Sequence, residues 1–320
     1  MHDNPIVLTT GMRGKIAANP MTKKILLTLP SPSLADNRGD VERLRDALHA
    51  YGTIQIPVSM MQKISQACHT GQWEVTTTLG LMEQGWTLVD IQAGNAPSPH
   101  WGIALDLGTT TIVGYLVDMQ TGDILATEAA YNGQMVYGED ILTRIYVASE
   151  EKGLANLRQA VLETINTMMG QLTEGKSQGI EAISAAVIGA NTTMIQLLLG
   201  LDPSRTCMMP YVSTVNRPGC MYAKEVGLHM NPWAPVYCMP SVGSYVGGDV
   251  LGGIIASGMY QQEETSLLVD IGTNGEIVLG NQDWLVACAG AAGPALEGGV
   301  VHSGMPVSYT HLDVYKRQAL

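Results

Sequence analysis

Phenylalanine is absent from the 320 residues, and charged side chains make up only 14% of them, against about 25% in an ordinary soluble domain. The missing Phe excludes nothing by itself, because 12 Tyr and 5 Trp carry the aromatic share. The shortage of charge, beside 46% apolar residues and 36 glycines, excludes a disordered or solvating chain. Basic residues are the scarcer sign: 17 Lys and Arg face 29 Asp and Glu, a net charge of −12. A phosphate-tracking surface or a polybasic membrane patch would work against that field, so neither a nucleic-acid nor a membrane partner is expected. The five cysteines (Cys68, Cys207, Cys220, Cys238, Cys288) are widely spread, form no C-x-x-C pair and include an odd one. That argues against a disulfide framework and against a cysteine-ligated zinc or iron–sulfur site, and reads as reduced, mostly core residues. Long apolar runs are missing too. The stretches near 185–201 and 250–259 are broken by Asn191, Thr192, Gln196 and several glycines, short of a roughly 20-residue span. The N-terminus has no charged start, apolar middle and cleavage site of a secretory signal, so a cytoplasmic protein is expected.

What is present divides into an expected N-terminal linker at 1–19, a small α+β domain at 20–96 and a larger domain at 101–306. In the first, a strand at 24–29 leads through a Pro30-Ser-Pro32 turn to amphipathic helices at 40–50 and 59–69 and strands at 73–79 and 86–91. The linker 94–100, with Pro97 and Pro99, follows. Strands at 102–106, 111–117 and 124–130 then read as an antiparallel meander, followed by helices at 140–151 and 154–171, a buried strand at 183–188 and a helix at 193–199. After a helix at 249–259, the meander texture returns at 267–271, 276–279 and 284–289. Residues 307–320 look foreign. They can be encoded by a DNA string that is nearly its own reverse complement and resembles two head-to-head ends of the transposon used to fragment sequencing libraries, so they are set apart from fold reasoning.

The two meanders begin alike. A-L-D-L-G-T-T-T-I-V from Ala104 and L-V-D-I-G-T-N-G-E-I from Leu268 share apolar-Asp-apolar-Gly-Thr, and a duplication of that size implies two related lobes, about 101–245 and 246–306. In each copy a strand ends in a carboxylate, and the following glycine permits a tight turn whose N–H groups and Thr hydroxyls can surround a phosphate oxygen. Two facing cradles would bracket a triphosphate, with Asp106 and Asp270 placed to hold hydrated Mg²⁺, a layout for phosphoryl transfer. The alternative is that each Asp-x-Gly-Thr merely closes a hairpin. Other candidates have plainer explanations. Glu297 in the glycine-rich run 290–299 could orient water, but a solvated or capping carboxylate is favoured; Asn191 or Thr192 reads as a helix N-cap. Asp140 and Arg144 read as a surface i,i+4 pair rather than a charged cluster facing the cleft. His69, beside Cys68, reads as a packed histidine.

The paired motifs resemble the acetate and sugar kinase, heat-shock chaperone and actin superfamily of two-lobed ATPases. Four segments narrow the match: the run from Trp101 to Ile145, with G-I-A-L-D-L-G-T-T-T and Y-G-E-D-I-L-T-R-I; G-A-N-T-T-M-I-Q-L-L-L-G-L-D-P from Gly189; P-S-V-G-S-Y-V-G-G-D from Pro240; and L-V-D-I-G-T-N-G-E-I-V-L-G with the later A-C-A-G-A-A-G-P-A-L-E-G-G. These resemble the ATPase domain of reductive activators of corrinoid proteins, and K-K-I-L-L-T-L-P-S-P-S-L from Lys23 resembles their middle domain. The resemblance implies an α/β chain: a two-lobed actin-like, ribonuclease H-like ATPase with an incomplete second lobe, preceded by the small α+β domain. It implies ATP and Mg²⁺ as cofactors, with phosphate contact on Gly108, Thr109, Thr110 and Thr111 and on Gly272, Thr273, Asn274 and Gly275. Asp106 and Asp270 would be the magnesium-side, catalytic carboxylates. In that family a [2Fe–2S] ferredoxin domain feeds electrons to the Co(II) corrinoid of a methyltransferase partner, with ATP supporting reduction to Co(I). The implied partners are the corrinoid protein, its methyltransferase and an electron donor, and the resemblance leaves room for a homodimer. No C-x₄-C-x₂-C run occurs, so the cluster is expected upstream of Met1 or on a separate protein. The family's adenosine-binding segment and closing helices are expected past Pro306. A small-molecule kinase, with Asp140 or Glu297 as base, and a nucleotide-sensing module without turnover stay open as alternatives.

Overall fold

A computed structural model describes residues 19–176, 178–271 and 275–290. The expected readings at 1–18, at Gly272, Thr273, Asn274 and Glu297, and in the foreign tail lie outside those residues.

The first unit is built from β1 (Thr22–Thr28), α1 (Asp40–Ala47), β2 (Ile54–Gln55), α2 (Val58–Thr70), β3 (Glu74–Met82) and β4 (Gly85–Ala93). Its sheet runs β1-β3-β4-β2, antiparallel except for the short β2–β4 pair. Met60, Ile64, Ala67 and Cys68 recur at helical spacing on α2 and are buried together with Leu44, Leu79, Leu88 and Ile91. The helix expected over 40–50 stops at Ala47. A tighter turn over His49–Tyr51 follows, and Gly52, at φ 79°, redirects the chain.

The second unit contains β5 (Trp101–Leu107), β6 (Thr111–Asp118), β7 (Ile124–Tyr131), α3 (Ile141–Ala148), α4 (Gly153–Leu172), β8 (Ile183–Ala190), α5 (Thr192–Leu199), β9 (Cys220–Tyr222), α6 (Ala223–Val226) and β10 (Pro235–Cys238). Its sheet order is β7-β6-β5-β8-β10-β9: an antiparallel meander that continues through the parallel pairs β5–β8 and β8–β10. The side-chain period of two puts Trp101, Ile103, Leu105 and Leu107 of β5 into the core and turns Asp106 the other way, toward solvent. The β8 run I-S-A-A-V-I-G-A is buried along most of its length, as a strand flanked on both sides should be. Leu157, Val161, Ile165, Met168 and Leu172 of α4 close that core, each contributing roughly 1.5–3 kcal/mol by burial. β9 and β10 were not expected. At three and four residues they are too short to show a period, and Pro235 sits at the first position of its strand, where a missing N–H is tolerated.

The third unit is α7 (Gly248–Ser257) with the antiparallel sheet β11 (Ser266–Ile271), β12 (Gly275–Gly280) and β13 (Leu285–Gly290). The second meander is therefore present in the same order as the first. Val246, Val250, Met259 and Val278 form its small core, with Leu268 packed alongside. All five cysteines are free. Cys68 and Cys238 are buried, Cys207 and Cys220 half-buried, and Cys288 is exposed. Among the described residues no helix is long and apolar enough to cross a membrane.

A buried hydrogen-bond relay ties the first unit to the second. Thr22 Oγ1 lies 2.8 Å from His100 Nε2 and 3.1 Å from Ser184 Oγ, whose hydroxyl donates to the Trp101 carbonyl at 3.1 Å. Every member is satisfied when neutral His100 carries its proton on Nε2. Burial pushes His100 down to about 4, with Lys24 adding to the shift and Asp118 opposing it. In the unfolded chain the same imidazole titrates near its ordinary 6.5. The folded state therefore binds fewer protons between these values and loses stability as pH falls from 6.5 toward 4, by roughly 3 kcal/mol in all. Urea unfolding of the native chain and His100→Gln should show the variant less stable at pH 7.5, with the gap narrowing by about 2 kcal/mol at pH 4.5. An unchanged gap would mean that His100 titrates alike in both states.

Candidate functional site

Asp106 and Asp270 occupy matching positions, each one residue before the end of the first strand of its meander. Asp106 pairs across the ladder with Val113, and Asp270 with Glu276. After β5 the chain turns through Gly108, Thr109 and Thr110 into β6, closed by the Gly108 N–H donating to the Thr111 carbonyl at 3.0 Å. A Cβ on Gly108 would stand 2.5 Å from that carbonyl, so the turn demands glycine. In the second lobe the described part of the cradle is Gly275, which opens β12 opposite Ile271, as Thr111 opens β6.

Asp249, at the start of α7, joins the two carboxylates, and the sequence reading did not name it as a site residue. Its only sequence signal is the glycine pair ahead of it. A Cβ on Gly247 would collide with the Asn191 backbone, the Ala190 carbonyl and the Asp249 carboxylate itself. This helix start thus lies against the end of β8 because its first residues lack side chains. The three acids repel. Asp106 is pushed up to about 6, first by desolvation and then by Asp249 and Asp270. Asp249 is raised by desolvation and by Asp270, against the N–H of Val250, which donates to its Oδ1 at 2.8 Å, and Asp270 is raised by desolvation. Water touches Asp106 and Asp270, yet protein on the other sides lowers the dielectric around them, as on the floor of a cleft.

Behind the cradle lie residues that the sequence reading assigned elsewhere. Arg144 is not the surface partner of Asp140. It is fully buried, and its guanidinium donates to the carbonyls of Thr109 at 2.6 Å and Gly138 at 2.8 Å and to Gln134 Oε1 at 3.2 Å. Burial draws it down to about 10, with Asp140 pulling the other way, so it stays charged at neutral pH. Asp140 instead caps α3, its two oxygens accepting from the N–H and hydroxyl of Thr143. Asn191 caps α5, as expected, by accepting from the N–H of Met194, and its Nδ2 also donates to Thr109 Oγ1 at 3.2 Å. Asn132, buried at the end of β7, was missed as well, because a buried polar side chain leaves no periodic trace. His69 is not packed: its side chain is largely exposed, 3.5 Å from Asp40 and edge-on to Trp73.

The donor sets can be tested against the groups the fold suggests. A turn carrying Thr hydroxyls, a glycine no other residue could replace and three crowded carboxylates fits a phosphate chain with its cation. Among the described residues no group of three or more His, Cys, Asp or Glu side chains stands where it could hold a metal ion. A [2Fe–2S] cluster does not fit. Cys68 and Cys238 are buried in different cores, and Cys288 is exposed on β13.

Comparison with known proteins matches residues 101–262 to the RACo middle region, 12–97 to the RACo linker region and 264–313 to the C-terminal domain of RACo, the ASKHA domain. The chain belongs to the RACo family. The stretch 20–96, labelled a middle domain from the resemblance, falls in what the family models term the linker region. Among solved structures, one described as a reductive activator for corrinoid,iron-sulfur protein superposes with a TM-score of 0.83 at 37% identity, over 94% of this chain and 48% of the other. The corrinoid activation enzyme RamQ of Eubacterium limosum is 32% identical over 71% of this chain and 38% of its own. The [Co(II) methylated amine-specific corrinoid protein] reductase of Methanosarcina barkeri is 27% identical over 65% and 39%. The chain spans about two fifths of the length of these curated relatives. The fold expectation holds: mixed α/β sheets with an actin-like ASKHA domain.

A carboxylate held above its ordinary pKa costs the fold stability as soon as it ionises. Asp106→Asn should therefore raise the unfolding free energy at pH 7.5 by about 1 kcal/mol once the screening of a solvent-touched group is allowed for, seen as a higher urea midpoint, with no gain at pH 4, where Asp106 is protonated. A lower midpoint at pH 7.5 would count against the crowding of the three acids.

Proposed function

We propose that this chain is the ATP-using portion of a reductive activator of corrinoid proteins, in which ATP binding and hydrolysis support the Co(II) to Co(I) reduction of a corrinoid partner. The observation that carries the reading is the pair of strand-terminal carboxylates, Asp106, which leads into the Gly108 turn, and Asp270, at the matching place of the second meander, in a chain whose family relatives are named for corrinoid activation. Gly108, Thr109, Thr110 and Thr111 on one side, with Gly272, Thr273, Asn274 and Gly275 on the other, bracket the phosphates. Asp106, Asp270 and Asp249 would accept hydrogen bonds from the water shell of Mg²⁺, and a cation there would offset the repulsion that adds to desolvation in raising Asp106 and Asp249. Bound Mg²⁺–ATP supplies an anhydride bond whose hydrolysis releases ADP and phosphate, and the same carboxylates orient the attacking water. The cysteines of this chain cannot carry the electron, so a separate domain or protein is the donor. The kinase reading loses one of its two candidate bases, because both oxygens of Asp140 are engaged in capping α3.

Calorimetry with ATP and ADP, followed by phosphate release with and without a Co(II) corrinoid protein, tests this. Stoichiometric binding, with hydrolysis raised by the corrinoid partner, is the expected result, and Asp270→Asn should lower the hydrolysis rate about 100-fold or more. No nucleotide bound would sink the proposal. Phosphate delivered to an added sugar or carboxylic acid would favour the kinase, and binding without turnover beside the partner the sensing module.

A further inference from the structure

The turn that follows β5 is held from its protein side by bonds that the phosphate contacts alone do not require. The Gly108 carbonyl accepts from Asn132 Nδ2 at 2.9 Å, and the Thr109 carbonyl accepts from Arg144 Nη2 at 2.6 Å. In a trans peptide the C=O and N–H point in opposite directions. Fixing the carbonyl of the 108–109 peptide from behind therefore turns the Thr109 N–H outward, and fixing that of the 109–110 peptide does the same for the Thr110 N–H. Neither N–H has a hydrogen-bond acceptor among the described residues.

We propose that Arg144 and Asn132 are positioning residues of the anion cradle, holding these two peptides so that the N–H groups of Thr109 and Thr110 converge on a phosphate oxygen. The proposal rests on the nucleotide-binding reading above and adds to it the residues that shape the site without touching the ligand. Three observations support it. Arg144 is fully buried, and no carboxylate of the described residues lies within ion-pair distance of it. A guanidinium in that position is costly unless its charge is used, and an anion on the far side of the peptide uses it. The bond to the Thr109 carbonyl is charge-assisted and polarises that peptide, which strengthens the Thr110 N–H as a donor. The scaffold is also over-determined. Asn132 accepts from the Gln134 N–H at 3.0 Å, its own N–H donates to the Thr110 carbonyl at 2.8 Å, and Gln134 fixes Arg144 in turn while donating to the Leu157 carbonyl of α4 at 3.0 Å.

The test compares ligands that carry phosphate with one that does not, by calorimetry on the whole chain. Arg144→Met, which keeps bulk beside Met194, should weaken ADP and inorganic pyrophosphate about 10- to 100-fold and leave adenosine within about twofold, and Arg144→Lys should recover part of the ADP affinity. Equal losses for adenosine and ADP would assign Arg144 a general structural role and overturn the proposal, as would ADP binding by a folded Arg144→Met at the native affinity. A second measurement needs no variant. The amide resonances of Thr109 and Thr110 in the native chain should move downfield on saturation with pyrophosphate, and unmoved amides would overturn the proposal even if Arg144→Met fails to fold. If neither pyrophosphate nor ADP binds the native chain, the nucleotide reading fails; if they bind with those amides unmoved, only the positioning role does.

Discussion

Burial pushes a carboxylate toward the protonated form and nearby like charge adds to it: desolvation raises Asp106, Asp249 and Asp270, and the neighbouring acids raise Asp106 and Asp249 further. They come from two strand ends and a helix start, on either side of the joint between two units, and only a scaffold with stability to spare can hold them there. The continuous core from β5 to β10, closed by α4, supplies that surplus, and its strand period sends Asp106 to the cleft while its neighbours go inward. The joint is made by glycines. The backbone of Gly247 lies where any side chain would meet Asn191 and Ala190, so α7 starts against the end of β8 and delivers Asp249 beside Asp106. A cation would offset part of that repulsion, and acids gathered at one place with raised pKa values commonly mark a ligand site.

The two fully buried arginines show how the same side chain serves different ends. Arg43 is neutralised locally: its guanidinium meets Asp36 Oδ2 at 2.7 Å and the Pro30 carbonyl at 3.0 Å, and it lies over the Trp73 ring, clasping the loop after β1 to α1. That is a structural clamp, made by the two terminal nitrogens, while the buried Nε has no partner among the described residues. Arg144 has carbonyls and an amide for hydrogen-bond partners and, among the described residues, no carboxylate at ion-pair distance, with Asp140 acting on it only from farther away. The contrast in pairing separates a residue that holds a loop from one that conditions a site.

Much of this was legible because the signals were local or repeated. The duplicated apolar-Asp-apolar-Gly-Thr run identified both first strands and both carboxylates, and the periodicities of 59–69 and 154–171 became α2 and α4 within a residue or two. What stayed hidden depended on tertiary placement. Arg144 sits four residues after Asp140, the spacing of a surface pair, and only the packing of α3 against the residues after β7 shows that it points inward. Asn132, Gln134 and Asp249 carry no pattern of their own. β9 and β10 are shorter than any period, and their pairing is decided by β8. His69 followed the opposite course: its neighbour Cys68 is buried, but a helix turns 100° per residue, and that places the imidazole in solvent.

The relay Thr22–His100–Ser184 and the bond from Asn231 to the Val89 carbonyl stitch the first unit to the second. At the other joint α7 bridges the large sheet and the second meander, packing on β8 and on β11. Because Asp249 stands at the first turn of that bridge and Asp270 on the strand it packs against, any change in the angle of α7 alters the spacing of all three carboxylates at once. A ligand that prefers one spacing must then bias the angle, and by the same free energy the angle biases the ligand. The close approach of Gly247 and Gly248 to the end of β8 and to Met239 is what sets that angle.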